Sequence, residues 1–354
     1  MSKFLKSNSK KIYTDLDIFY NHNVENNKIT ITGTNGKSTT AQILYEVLKD
    51  QKVDVRLVGN IGNPPLLEKN ITNSTVFVIE ASSYQLEYSK LFKSNISLIL
   101  NITPDHLERH GTIKKYVNAK FKLVKSQSKN DLAIINAENF YVRKKLESKN
   151  FLPKIIKIEK SIDSTFLKKI NNQYFNTNGN KENLKFVLKV AKILNFKKNS
   201  LIKTLKKFKG LKYRQEIIFQ SRKLTIINDS KATTFSSSVS LLKSLTNVYW
   251  IVGGQAKKGD KLLLSKKNCK NIKAYIFGTN KSFFINKIKK IMKYEHFLDL
   301  KSVIKKLSLE IKNNKNTIHK TILFSPSTAS FDSFKNFEKR GKYFNKLIKK
   351  YINA

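Results

Sequence analysis

The sequence predicts an α/β protein built on parallel sheets, and three observations carry that reading. Short apolar strands repeatedly end in a glycine-rich or polar turn and are followed by a helical stripe. The first such turn, Gly33-Thr-Asn-Gly-Lys-Ser-Thr39, has the strand–glycine turn–helix setting of a phosphate-binding loop. The pattern fades in a Lys/Asn-rich stretch, about residues 139–182, and restarts after residue 212. The expected organisation is a short N-terminal segment over 1–27, a central nucleotide-binding unit with a phosphate-loop-type parallel sheet over 28–212, and a Rossmann-like α/β unit over 213–354.

The elements follow in order. A strand over 28–32 runs into the loop, and Ala41, Ile43, Leu44, Val47 and Leu48 then give a helical stripe. Strands are predicted over 53–58, 75–79, 96–100 and 132–135, ending at Gly59, Glu80, Asn101 and Asn136. Helices are predicted over 184–194 and 201–208. In the second unit, strands over 224–227, 248–252, 274–277 and 321–324 end at Asn228-Asp229, Gly253-Gly254, Gly278 and Ser325-Pro326. Ligands of such sheets bind beyond the carboxyl ends of the strands, where these polar residues fall.

Composition sets limits. The chain has 354 residues and is 40% hydrophobic, enough for two ordinary cores and against a wholly disordered chain. No apolar run approaches the roughly 20 residues that span a bilayer, and the start has no segment of signal-peptide length, so a cytoplasmic protein is expected. The lone Cys269 excludes an internal disulfide and a Cys-clustered metal site. The net charge of +44 comes from 63 lysines and only six arginines, at 56, 109, 143, 214, 222 and 340. Lysines spread along the whole chain read as solvated faces, with no specific nucleic-acid partner. A polyanion surface would need basic residues gathered on one face with interleaved aromatics, and the even spacing does not show that.

Within the loop, backbone N–H groups and the helix N-terminus would cradle phosphates. Lys37 would neutralise them, Ser38 would hold Mg²⁺, and Gly33, Thr34, Asn35, Gly36 and Thr39 complete the cradle. Two residues separate Gly33 from Gly36, where the usual spacing has four. Glu80, at a strand end beyond the loop in sheet order, suits a Mg²⁺ shared with Ser38 and ATP oxygens, or else is an exposed or capping glutamate. His106, after Pro104-Asp105, is either a ligand or a satisfied structural histidine.

In its TGTNGKST form the loop resembles that of the Mur ligase family, which includes folylpolyglutamate synthases. The segments 80–87, 101–109, 228–233, 253–257 and 325–341 resemble its D-glutamate-adding branch, in the same order. The resemblance covers about residues 12–350. It implies an ATP-dependent amide-bond ligase of peptidoglycan synthesis, a monomer acting on UDP-N-acetylmuramoyl-L-alanine and D-glutamate with two Mg²⁺ ions. It implies a second Mg²⁺ held by His106 and a carbamylated lysine that maps to Lys120, which nothing intrinsic marks among the other lysines. Asn60, Ser82 and Gln85 would contact the uridine-linked substrate, though capping and turn chemistry explain the same residues. Arg214, Asp229 and Lys231 map to ATP-contacting positions, and Thr233, Lys257, Ser330 and Phe337 to the D-glutamate pocket. Phe337 reads equally well as a core aromatic.

The chain departs from the family pattern in three places. In the adenine-side segment Gly179 stands where the family has His, while Asn180 and Asn183 remain. Tyr213 replaces the His that precedes the junction arginine. About 27 residues precede the loop strand, where relatives carry a uridine-holding domain of roughly 90 residues, so most of that domain is expected to be missing. Two other readings compete: a degenerate nucleotide-binding module with a regulatory role, and a folylpolyglutamate-synthase-like ligase.

Overall fold

The computed structural model describes residues 7–8, 11–147, 150–158, 160–255, 262–269, 271–313, 318–330 and 334–352. The chain divides into two units, Met1–Phe175 with Gly179–Phe208, and Asn176–Asn178 with Lys209–Ala354. Each is a six-stranded sheet with helices.

The first sheet is parallel throughout. Its strands are β1 (Lys28–Thr32), β2 (Val55–Gly59), β3 (Val76–Glu80), β4 (Ile96–Ile99), β5 (Leu132–Ile135) and β6 (Lys154–Lys157), in the spatial order β2-β3-β1-β4-β5-β6. All five residues of β1 are buried, as expected for a strand covered on both faces. On one face Leu16 and Phe19 of helix α1 (Asp15–His22) pack with Phe77, Ile79 and Leu86. Farther along the same face, Tyr116, Phe121 and Val124 of a helix over Ile113–Lys125 pack with Ile99, Ile135 and Val142, which the strand register sets on the side of Phe77 and Ile79. The strand order matters for function. β1 is flanked by β3 and β4, neither its neighbour in sequence, so the loop after β1 opens at the point where the connections diverge.

The second sheet holds β7 (Glu216–Gln220), β8 (Leu224–Asn228), β9 (Val248–Gly253), β10 (Ile272–Phe277), β11 (Lys293–His296) and β12 (Lys320–Phe324). Its order is β11-β10-β9-β12-β8-β7, with only β7 antiparallel to its neighbour. Alternate residues sort to opposite cores. Trp250, Val252, Ala274 and Ile276 face one way, and Ile251, Tyr275, Phe277 and Phe324 the other. Phe324 stacks on Phe344 at 4.4 Å.

Nine predicted strands are present, with bounds shifted by no more than two residues. The three strands not predicted, β6, β7 and β11, all lie at sheet edges. Their sequences, KIIK, EIIFQ and KYEH, are half-exposed and charged, which is how natural edges resist pairing with other chains. The same property erases the apolar signal. The helix predicted over 184–194 starts earlier, at Asn178–Ile193, and the next spans Lys198–Lys207.

One buried carboxylate ties α1 to this frame. Asp17 Oδ1 accepts from Ser89 Oγ at 2.8 Å and from the N–H groups of Lys90, Leu91 and Phe92 at 2.8–3.0 Å. Burial alone would raise its pKa, but these donors and Thr14 outweigh it and hold the carboxyl below its usual range. Asp17→Ala should therefore destabilise the protein by about 3 kcal/mol, because four donors lose one acceptor. Its wild-type contribution should be present at neutral pH and fade as pH falls through the depressed pKa. Urea denaturation at pH 7 and pH 3 checks this; equal stability of variant and wild type at pH 7 would contradict it.

Candidate active site

The phosphate-type loop leaves β1 at Gly33 and enters helix α2 (Lys37–Asp50) through Gly36. Gly36 is left-handed, at φ 86°, and gives the helix no side-chain cap. The first-turn N–H groups of Lys37, Ser38 and Thr39 thus have no side-chain acceptor from the capping residue, the ordinary condition for binding an anion at a helix N-terminus. Gly36 is also required by space, because a Cβ there would lie 2.1 Å from Asn183 Oδ1.

The loop after β4 braces the other side. Asn101 takes the N–H of Thr34 at 2.8 Å on its carbonyl and that of Asn35 at 2.9 Å on its side chain. Thr34 Oγ1 lies 3.1 Å from the Tyr116 hydroxyl. The Lys37 ammonium curls across the loop and donates to the carbonyls of Gly33 and Thr34, at 3.0 and 2.9 Å.

Glu80 ends β3 and pairs in register with Ile31, one step from the loop. The residue is 1% exposed. Asn60 Nδ2 donates to Oε1 at 3.2 Å, and Oε2 has no hydrogen-bond partner among the described residues. A buried carboxylate oxygen without a donor is costly unless a cation faces it. Lys120 supplies the second anomaly. It is 1% exposed, and its Nζ donates to Gly33 O at 2.7 Å and lies over the Tyr116 ring. Burial, with the nearby Lys37 charge second, holds its pKa far below that of an ordinary lysine. No three His, Cys, Asp or Glu side chains cluster as a metal cage among the described residues. A Mg²⁺ that takes most of its ligands from water and phosphate needs only one or two protein oxygens, and Glu80 with the buried Ser38 fits that demand.

His106 sits left-handed at φ 53° before a short helix, with Nδ1 2.8 Å from the Tyr84 hydroxyl. The other predicted residues of this unit are held in the frame. Ser82 and Gln85 form a reciprocal capping box on the helix Ser83–Tyr88, and Gln85 also reaches Asp15. Asn180 donates to Tyr174 O at 2.8 Å.

In the second unit Arg214 lies between two left-handed residues, Tyr213 at φ 62° and Gln215 at φ 49°. Three contacts pin this strained loop. Lys231 N–H donates to Tyr213 O, Gln215 N–H donates to Asp229, and the Tyr213 ring lies flush on Gly341, where a Cβ would come within 2.3 Å of it. Asp229 is 3% exposed, and Ser325 Oγ donates to it at 2.8 Å. Burial pushes its pKa up to about 7 despite these donors and the Arg214 and Arg340 charges. The Lys231 ammonium sits 4.0 Å over the Phe337 ring. Ser330 is buried and Thr233 exposed, while Lys257 lies outside the described residues.

Comparison with known proteins agrees with this geometry. Residues 31–204 match the Mur ligase middle domain. The chain is 34% identical to the UDP-N-acetylmuramoylalanine–D-glutamate ligase of Rickettsia bellii, over 98% of this chain and 80% of that protein. The chain belongs to the Mur ligase family. The enzyme of the same description from Francisella philomiragia is 32% identical, over 98% and 81% of the two chains. Among solved structures, MurF from Acinetobacter baumannii has the same fold, with a TM-score of 0.66 at 15% identity over 96% of this chain and 79% of that one.

This Mur ligase contains one residue that the sequence reading passed over. Arg340 is 1% exposed, and its guanidinium donates to Ser230 O, Thr328 O and Ala329 O at 2.7–3.1 Å, with the Ser230 and Thr328 hydroxyls also in reach. It locks the loops after β8 and β12 to one another. The available signal was scarcity, since an arginine retained among 63 lysines marks a position where a planar fork is needed.

The buried Asp229 predicts a pH dependence. Its folded pKa lies above its unfolded value, so the folded state binds the extra proton between about pH 4 and pH 7. Across that window wild-type stability should fall relative to Asp229→Asn, by an amount on the order of 4 kcal/mol, and level off above pH 7. Denaturation of both proteins at pH 5, 6, 7 and 8 measures the difference; a difference independent of pH would contradict the assignment.

Proposed function

We propose that this Mur ligase joins D-glutamate to UDP-N-acetylmuramoyl-L-alanine at the expense of ATP. The observation that carries the reading is the unpartnered Glu80 oxygen beside an uncapped helix N-terminus and a loop lysine, in a chain whose relatives are named for this reaction. The alanyl carboxylate attacks the γ-phosphorus of ATP, giving an acyl phosphate and ADP. The D-glutamate amine then adds to the acyl carbon, and collapse of the tetrahedral intermediate breaks the C–O bond and releases phosphate.

The residues of the first unit have separable tasks. The N–H groups at the start of α2 take the phosphate oxygens, and Lys37 moves from its own loop carbonyls to the phosphates. Glu80 and Ser38 would hold Mg²⁺, with Asn60 orienting Glu80. Bound there, Mg²⁺ would neutralise charge on the transferred group. A second Mg²⁺ is assigned to His106 and a carbamylated Lys120, and burial of the Lys120 amine favours the neutral form that reacts with carbon dioxide. Tyr84 fixes the His106 ring through Nδ1, and Nε2, 3.5 Å from Asp105 Oδ2, would be the nitrogen offered to the metal.

From the second unit we assign Arg214 and Lys231 as cations for the nucleotide, with Asp229 acting through the Gln215 backbone. Thr233, Lys257, Ser330 and Phe337 are assigned to D-glutamate, whose two carboxylates need cations and hydroxyl donors. Asn180 and Asn183 remain assigned to the adenine side, and Ser82 and Gln85 to the muramoyl end of the substrate. No helix of the described residues is long and apolar enough to cross a membrane, and we assign the enzyme to the cytoplasm as a monomer.

Lys37→Ala should lower ADP release with both substrates by about a hundredfold or more, since Lys120, the other lysine at the Gly33 carbonyl, is held toward its neutral form and cannot replace the lost charge. Product assays with D-glutamate, L-lysine, meso-diaminopimelate and D-alanyl-D-alanine should show incorporation of D-glutamate. Near-normal turnover by the variant would contradict the loop assignment, and preference for another amino component would contradict the substrate assignment.

A further inference from the structure

The chemistry assigned to the second unit lies at the carboxyl ends of its strands. The opposite end of the same sheet carries something else. There the amino ends of β9, β10, β11 and β12 border a cleft of about 880 Å³. Its described lining includes six lysines, Lys266, Lys273, Lys289, Lys290, Lys293 and Lys320, against one carboxylate, Glu295. Six lysines in sixteen lining residues is about twice the chain's own share of 63 in 354, so the cleft concentrates charge beyond the general lysine content.

The fold makes this cluster from positions far apart in sequence. Lys273 and Lys293 are register partners on β10 and β11, Lys320 begins β12, and Lys289 and Lys290 follow the helix Lys281–Ile288. Among the described residues only Lys273 is neutralised, by Glu295 at 2.7 Å and Glu310 at 3.0 Å. Lys266, Lys289, Lys290 and Lys293 are exposed and form no ion pair among the described residues. Two half-buried tyrosines, Tyr249 and Tyr294, line the same cleft, and the Lys320 ammonium lies 5.6 Å from the Tyr249 ring centre. A smaller cavity of about 500 Å³ shares Tyr249 and Lys320 and extends the surface. Basic side chains gathered at one end of the sheet, with Tyr249 packed against one core and Tyr294 against the other, are an arrangement that the even spacing in sequence does not reveal.

We propose that this cleft binds a linear chain of closely spaced phosphates, at a site separate from the phosphate loop. Unpaired ammonium groups set around a concave surface repel one another and focus a positive potential, which a polyanion relieves. Lysines are compact point charges without a fork, so they select charge density rather than the geometry of one carboxylate or phosphate. The tyrosine faces add a surface on which bases stack. The shared chemistry is a phosphate chain, available as inorganic polyphosphate or as single-stranded RNA. The inference does not rest on the ligase reading.

The test is calorimetric titration of the full chain at 0.15 M salt, where exposed charges act over about 8 Å. The probes are inorganic tripolyphosphate and an octameric oligo-uridylate. Three proteins are compared: wild type, Lys289→Glu/Lys293→Glu in the cleft, and Lys203→Glu/Lys206→Glu on the exposed side of the helix Lys198–Lys207. Both double variants change net charge equally, and any binding by the Gly33–Thr39 loop is common to all three. The cleft variant should weaken both probes by about tenfold or more, and the distant variant by no more than about twofold. Tyr249→Ala/Tyr294→Ala should weaken only the uridylate if RNA is the source, and neither probe if the source is polyphosphate. Absence of binding by wild type, or equal weakening by the two charge reversals, would overturn the proposal, because the attraction would then belong to diffuse net charge.

Discussion

The first unit depends on a single placement: β1 runs between β3 and β4, so the loop that leaves it is hemmed by the ends of both neighbours. From one side comes Glu80, from the other Asn101, and the helix over Ile113–Lys125 brings Lys120 to the carbonyl of Gly33. Asn183 closes the space at Gly36. Each of these side chains is positioned by a strand end or a buried helix face, and none relies on a long exposed loop. That rigidity allows two energetically costly groups to persist around the loop, a carboxylate oxygen without a donor and a lysine held toward its neutral form. Such groups are retained where surrounding structure over-determines them and a ligand repays them.

The second unit meets the same demand with a different device. Its strand-end loops are held by Arg340, whose buried guanidinium is matched to three backbone carbonyls. Behind them Ser238 links to Ser325 and Ser327, and Trp250 Nε1 donates to Ser325 O. The loop carrying Arg214 is strained at both flanking residues, and Gly341, a glycine inside the helix Phe337–Tyr351, exists where the Tyr213 ring needs the room. A glycine there costs roughly 1 kcal/mol of helix propensity relative to alanine, and the packing explains why it is kept.

Much of this was legible in the sequence. Nine strands, the phosphate-type loop and the position of Glu80 follow from apolar runs that end in polar turns. The edge strands β6, β7 and β11 were hidden because charged, half-exposed edges lack the pattern that marks a buried strand. Lys120 could be singled out only by resemblance, since burial is a property of the fold and 62 other lysines look alike in sequence. Ser82 and Gln85 carried both readings, and their capping box is what the structure displays directly. The lysine cleft was invisible for a related reason: its members begin separate strands, and only their registration brings them together.

In the proposed reaction the chain activates a carboxylate as an acyl phosphate before forming an amide. The most direct measurement supplies UDP-N-acetylmuramoyl-L-alanine labelled with oxygen-18 in both alanyl carboxylate oxygens, together with ATP, Mg²⁺ and D-glutamate. The inorganic phosphate released is then read by mass spectrometry. Transfer of one labelled oxygen to each phosphate, in step with amide formed, is the predicted result. Amide formation with unlabelled phosphate would mean that the carboxylate never bonded to phosphorus, and would contradict the account.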